Sequence, residues 1–351
     1  MITIFATIIV LSVIVFVHEM GHFLMAKLGG VKVERFSIGF PPTILKKKFG
    51  ETEYAIGAIP FGGYVKMAGE YREEETEPEP GELESKSVGI RAAIMAAGPA
   101  MNVILAVVLF WAVLAFHGMG EVSNKTLVGG VMEDAPADSA GVEAGDSIAL
   151  VDGTSFADWQ GLSTFVHDRP EEKLAFTLVR GDEIFTREIT PRPREFDTDS
   201  GTIRVGLIGI QPEVSFEAAG PLAAIPASFG MFGEVLRAMK QFIAKLFGPG
   251  LDKGDLGGPV MIGKLAGASA RSGWAPFLFF MAALSINLAI LNLLPFPALD
   301  GGHLAFLAVE AIRRKPLSLK VRMALQQIGI ILILALMVYV TVSDISTLFF
   351  G

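Results

Sequence analysis

The sequence predicts a polytopic α-helical membrane protein with four transmembrane helices and one small α+β domain outside the membrane. Three observations carry that prediction. The chain has 351 residues, 51% hydrophobic and only 19% charged, with a mean hydropathy of +0.51, too apolar for an ordinary soluble globule. Four segments, at about 2–27, 90–117, 276–294 and 328–350, are long and apolar enough to cross a bilayer. Between the second and third, short β-type runs alternate with Gly-Asp and Pro turns. Composition also excludes some classes. Without cysteine, disulfides and thiolate metal sites are ruled out, so any metal must be held by His, Asp or Glu. A net charge of −8 argues against nucleic acid as a partner.

The first span opens with ITIFATIIVLSVIVFV, which carries no charge. No Lys or Arg precedes it and no small-x-small site follows, so it is expected to be retained rather than cleaved. It runs into His18-Glu19-Met20-Gly21-His22. On a helix, H-E-x-x-H puts two imidazoles on one face, where both can bind one zinc ion. Glu19 follows directly, close enough to handle a water beside the metal. Ionisable groups in a membrane helix are costly and mark functional sites.

Residues 31–69 follow as a β-rich stretch with Gly-Pro punctuation, and IGAIPFGGYV within it is expected to dip into the membrane against the protein. The acidic, Pro-containing run 71–86 is expected to be a solvated linker. The second span completes a first membrane part, 1–117. Lys and Arg crowd the connection between spans one and two and recur at Arg313, Arg314, Lys315, Lys320 and Arg322 between spans three and four. By the positive-inside rule both loops are cytoplasmic, and both termini and segment 118–275 lie outside.

Residues 118–215 are expected to form the α+β domain, with a hairpin turning at Arg180-Gly181-Asp182. Its A-P-A-x-x-A-G-V-x-x-G-D-x-I-x-x-V-D-G pattern, Ala135–Gly153, resembles a PDZ domain. On that template Gly206, Leu207, Ile208, Gly209 and Ile210 form the strand that a peptide joins by strand addition; a domain that only screens ectodomains by size remains the alternative. In the connector 216–274, an amphipathic helix clearest over 232–247 either lies on the membrane surface or packs on the protein. The second membrane part is 275–351.

Two histidines leave a catalytic metal site one protein ligand short. The third span ends in Asn292-Leu-Leu-Pro295-Phe-Pro297-Ala-Leu-Asp300-Gly301-Gly302-His303. The prolines break the helix, the glycines permit a tight turn, and Asp300 reaches the level of His18 and His22 near the cytoplasmic face. His303 is the competing third ligand.

H-E-x-x-H in the first span with N-x-x-P-x-x-x-L-D-G in a later one resembles the site-2 protease family of intramembrane zinc metalloproteases, in its bacterial RseP-like group. GPAMN at 98–102, LGGPV at 256–260 and the PDZ pattern extend the likeness over nearly the whole chain. The resemblance implies one zinc per chain on His18, His22 and Asp300, with Glu19 as general base and later proton donor. It places Asn102, Asn292 and Pro295 on the substrate side and makes 52–67 a membrane-associated hairpin that pairs with an unwound substrate. It implies regulated intramembrane proteolysis in the bacterial inner membrane. Substrates would be single-span proteins of the anti-sigma-factor type after a first outside cut, or remnant signal peptides. Contacts to membrane lipid, and to peptide or ectodomain through the PDZ, follow from the same resemblance. The alternative from another class is a non-catalytic PDZ membrane scaffold or chaperone.

Overall fold

The computed structural model describes residues 1–70, 77–123, 125–198, 201–246 and 257–350. The start of the acidic run at 71–76, Phe247 of the amphipathic stretch and Leu256 of LGGPV lie outside the described residues. The chain divides into two compact units, Met1–Phe116 with Ala219–Gly351, and His117–Ala218.

In the first unit, α1 (Ile2–Leu28) buries Ala6, Val10, Ile14, His18, His22 and Ala26. These recur every four residues, so the apolar stripe of the helix continues directly into the two histidines. Next come β1 (Val33–Phe49) and β2 (Thr52–Met67), which pair antiparallel. Both strands bend, and residues 33–38 lie between 63–67 on one side and 53–56 on the other, while 43–48 pair back onto 53–57. Segment 63–67 is therefore an edge. This sheet rests on α1. The Phe36 ring meets Phe16 and Phe23 edge-on at 6.0 and 5.2 Å, and the Ser12 hydroxyl donates to the Pro60 carbonyl at 3.1 Å. Ser12 precedes His18 by six positions, about 9 Å along a helix, so the Pro60 bend lies well along the apolar part of α1.

A short 3₁₀ turn, Leu83–Ser85, leads into α2 (Val88–Phe116). Its buried stripe of Ile94, Gly98, Asn102, Ala106 and Phe110 again recurs every four residues.

The second unit contains β3 (Met119–Val122), β4 (Val128–Val131), α3 (Pro136–Ser139), β5 (Ser147–Val151), α4 (Trp159–His167), β6 (Leu174–Arg180), β7 (Glu183–Ile189), β8 (Arg192–Thr198), β9 (Gly201–Leu207), β10 (Ile210–Pro212) and β11 (Val214–Glu217). Strands β5, β6 and β7 form one sheet, while β3 with β11, β4 with β10 and β8 with β9 form ribbons. Ile148, Leu162, Val166, Phe176 and Leu178 fill the core between sheet and α4. Asp146 is fully buried. It accepts from Arg180 at 2.6 and 2.9 Å and from the Glu143 N–H at 2.9 Å, and the guanidinium holds its carboxyl below the usual range. GLIGI is not one continuous strand. Gly206 and Leu207 end β9, Ile208 and Gly209 turn with Gly209 at φ +79°, and Ile210 opens β10. The left-handed backbone at Gly209 interrupts the extended run, and the Ile208 carbonyl accepts from the Ala137 N–H of α3 at 2.9 Å. All five residues still line a groove against α4, facing Trp159, Leu162, Ser163, Val166 and His167.

The first unit resumes with α5 (Ala224–Leu246), α6 (Pro259–Ser272), α7 (Trp274–Leu293), α8 (Asp300–Arg313) and α9 (Leu319–Phe350). Helix α5 is the amphipathic one, and it packs on the protein: Met231, Phe232 and Val235 lie against Ala106 and Phe110 of α2 and Ala282 and Ile286 of α7. Helix α8 was not expected, and α9 starts at Leu319 rather than near 328. Its first turns are polar, so a hydropathy reading truncates them. There Arg322 pairs with Glu84 at 2.7 Å and Gln326 meets His303 at 3.0 Å. Toward its other end, Asp344 accepts from the N–H groups of Gly258 and Met261 at 3.1 and 3.0 Å, capping α6. Among the described residues, four helices are long and apolar enough to cross a membrane: Ile2–Leu28, Val88–Phe116, Trp274–Leu293 and Leu319–Ser346.

Candidate metal centre

Helices α1 and α2 bring their buried stripes together at small residues. A Cβ on Gly21 would collide with the Ala97 carbonyl, and one on Gly98 with both the His18 and His22 rings. In lipid, helices associate through close packing rather than through the hydrophobic effect, so such small-residue contacts set how near the backbones come. The space left by Gly98 is where the two imidazoles sit. They are 7% and 6% exposed.

The third member arrives from the other end of the chain. Leu294 is extended, as the residue before Pro295 must be, and α7 ends there. The chain turns through Phe296, whose carbonyl accepts from the Leu299 N–H at 2.9 Å, and Asp300 becomes the first residue of α8. An ion pair from Arg91 of α2 to Glu310 ties α8 to α2.

Ligand-type atoms of His18, His22 and Asp300 all lie within 4.8 Å of one another. His18 Nε2 is 3.2 Å from His22 Nε2 and 3.1 Å from Asp300 Oδ2, and His22 Nε2 is 3.5 Å from Asp300 Oδ1. Four ligands each about 2.0–2.1 Å from a tetrahedral ion stand about 3.3–3.4 Å apart, so this spacing fits one such ion. The protonation pattern fits as well. His22 Nδ1 lies 2.8 Å from the Ile94 carbonyl. A carbonyl can only accept, so the proton is on Nδ1 and Nε2 presents a lone pair. Asp300 Oδ2 is buried and faces His18 Nε2 at 3.1 Å, an acceptor placed where a cation between the two groups would be held.

Glu19 does not join this cluster. Its carboxylate is within hydrogen-bonding reach of the Val65 backbone amide, and Gly63 lies beside it, so the 63–67 sheet edge runs past the glutamate. Asn102 is 0% exposed, with its amide 3.2 Å from His18 Nδ1. Asn292 is half-buried and Pro295 is exposed at the end of α7. The ring of His303 meets Gln326 at 3.0 Å and is not among the clustered ligand atoms. Gly98 is a site residue whose role the GPAMN run did not reveal; its signal was a glycine four positions before Asn102 in an apolar span.

Gly98→Ala is expected to fold with a strained α1–α2 contact and to hold little zinc, because overpacking displaces both rings at a cost of about 1–3 kcal/mol. Metal analysis of the purified variant checks this, and a full complement of zinc would show that the rings can move aside.

The profile of peptidase family M50 matches residues 6–336. A Clostridium perfringens protein named as a zinc metalloprotease is 35% identical over 334 residues, covering 95% of this chain and 96% of its own. Relatives named in the same way from Mesorhizobium japonicum and Nostoc are 34% and 31% identical, over 96% and 99% of this chain and 96% of each relative. Among solved structures, the PDZ domain of an SdrC-like protein from Listeria innocua is 24% identical over 25% of this chain and 93% of that domain, with a TM-score of 0.21.

Proposed function

The chain belongs to peptidase family M50 and is a zinc metalloprotease, and from that premise we propose that it cuts single-span membrane proteins within or beside their transmembrane segments. The observation that carries this is the meeting of His18 and His22, on the apolar helix α1, with Asp300 at the start of α8, and Glu19 beside a sheet edge. In this reading one zinc per chain is held by His18, His22 and Asp300. When bound, zinc supplies Lewis acidity, polarising a carbonyl and making water a competent nucleophile near neutral pH.

The remaining steps belong to the protein. Glu19 takes the proton of the attacking water and returns it to the departing amine. A helical substrate hides its peptide bonds, and once unwound in lipid its N–H and C=O groups need partners. The 63–67 edge offers them by strand addition and lays the chain past Glu19. Asn292 and Pro295 flank that path. The active site lies near the cytoplasmic side of the bacterial inner membrane, with both termini and the PDZ domain outside. There the Gly206–Ile210 groove contacts a peptide or ectodomain of the substrate. Substrates are single-span proteins already cut outside, of the anti-sigma-factor type, or remnant signal peptides.

The test is cleavage of a single-span substrate by purified protein in detergent. Stripping the metal with a chelator is expected to stop cleavage, and added zinc to restore it. Unchanged cleavage by metal-free protein would defeat the proposal.

A further inference from the structure

We propose that Asn102 is a positioning residue for the metal centre: its side-chain oxygen takes the Nδ1 proton of His18 and so turns the Nε2 lone pair of that ring toward the ion. The inference rests on the reading of His18 as a metal ligand.

The two histidines need the same thing. An imidazole that binds a metal through Nε2 must carry its proton on Nδ1, and that proton needs an acceptor when it is buried. His22 has one in the Ile94 carbonyl at 2.8 Å. At the same position on His18 stands the side-chain amide of Asn102, 3.2 Å from Nδ1. With the amide nitrogen toward the ring, Nδ1 must accept. The proton then sits on Nε2, between His22 and Asp300, where it blocks the metal. In that orientation Asn102 Oδ1 is also buried without a donor. Turned over, the amide places Oδ1 on Nδ1–H, which gives the oxygen its donor and frees Nε2. An amide reverses by a half-turn about one bond without moving its neighbours.

The residue is built for a fixed task. Asn102 is fully enclosed, in the same α2 stripe as Gly98. Its backbone carbonyl accepts from Ser285 Oγ of α7 at 2.8 Å, which pins this turn of α2 to a third helix. A side chain so enclosed, and already engaged with His18, is poorly placed to hold substrate backbone, the role expected from the sequence. Ser285, Asn102 and His18 instead form a line from α7 through α2 to the metal position on α1.

The experiment is a zinc competition titration against a chromophoric chelator, on the full chain in detergent, for wild type, Asn102→Ala and Asn102→Asp. Removal of a partner that orients a metal-bound histidine costs about 10–100-fold in affinity, and that loss is expected for Asn102→Ala. Asn102→Asp keeps an acceptor and cannot donate from the ionised form, so it is expected to bind zinc at least as tightly as wild type. A merely structural role for the amide would not be rescued by the charged residue. Wild-type affinity in Asn102→Ala overturns the inference, and so does an Asn102→Asp variant that has lost zinc. Should Asn102→Ala fail to fold, the Asp variant decides alone by the same criterion. A wild-type chain that binds no zinc would instead undo the metalloprotease reading, and is told apart by that.

Discussion

Glu19→Gln is expected to keep its zinc and lose hydrolysis, with kcat falling about 10²–10⁴-fold. The amide matches the carboxylate in size and still offers an oxygen to the Val65 N–H, so the packing of the 63–67 edge against α1 survives. Glu19 is not among the atoms that meet at the metal position, so metal content should not change. What the substitution removes is a carboxylate beside the site that can accept a proton from water without also being a ligand. Initial rates on a single-span substrate, with metal analysis of the same samples, read both quantities. Wild-type rates in this variant would take Glu19 out of the chemistry. Loss of the metal as well would show that Glu19 holds the site together.

Asp300→Ala is expected to lose both zinc and activity. The carboxylate approaches both imidazoles at 3.1 and 3.5 Å, and without it two neutral rings face the ion. Catalytic zinc sites keep three protein ligands. His303 is the nearest substitute by sequence, but its ring is engaged with Gln326 of α9. Inductively coupled plasma analysis and the cleavage assay are expected to fall to background together. Zinc retained at the wild-type level would mean that the third ligand has been misassigned.

The residues at the centre are legible in the sequence because their chemistry and their spacing coincide. His18 and His22 continue the four-residue repeat that begins at Ala6, so any burial of that stripe carries them inward. Asp300 is legible because Pro295 and Pro297 must end a helix beside the membrane. Other features depend on partners distant in the chain. The double pairing of residues 33–38 is a matter of register, which composition does not encode. The first turns of α9 look like loop because Lys320 and Arg322 interrupt the hydropathy, although a helix projecting beyond the apolar layer tolerates both. Gly98 and Asn102 are visible as residue types, yet what each touches is known only once α1 and α2 are laid side by side.

Both histidines ride on one helix near the start of the chain, while the carboxylate opens another near its end. An ion seated among them is therefore a rivet between distant stretches of polypeptide. By mass action, free zinc at a thousand times its dissociation constant adds about 4 kcal/mol to the folded state, a large share of the 5–15 kcal/mol typical of a whole domain. An ion bound there is then expected to raise the melting temperature of the protein, which a thermal scan with and without zinc checks.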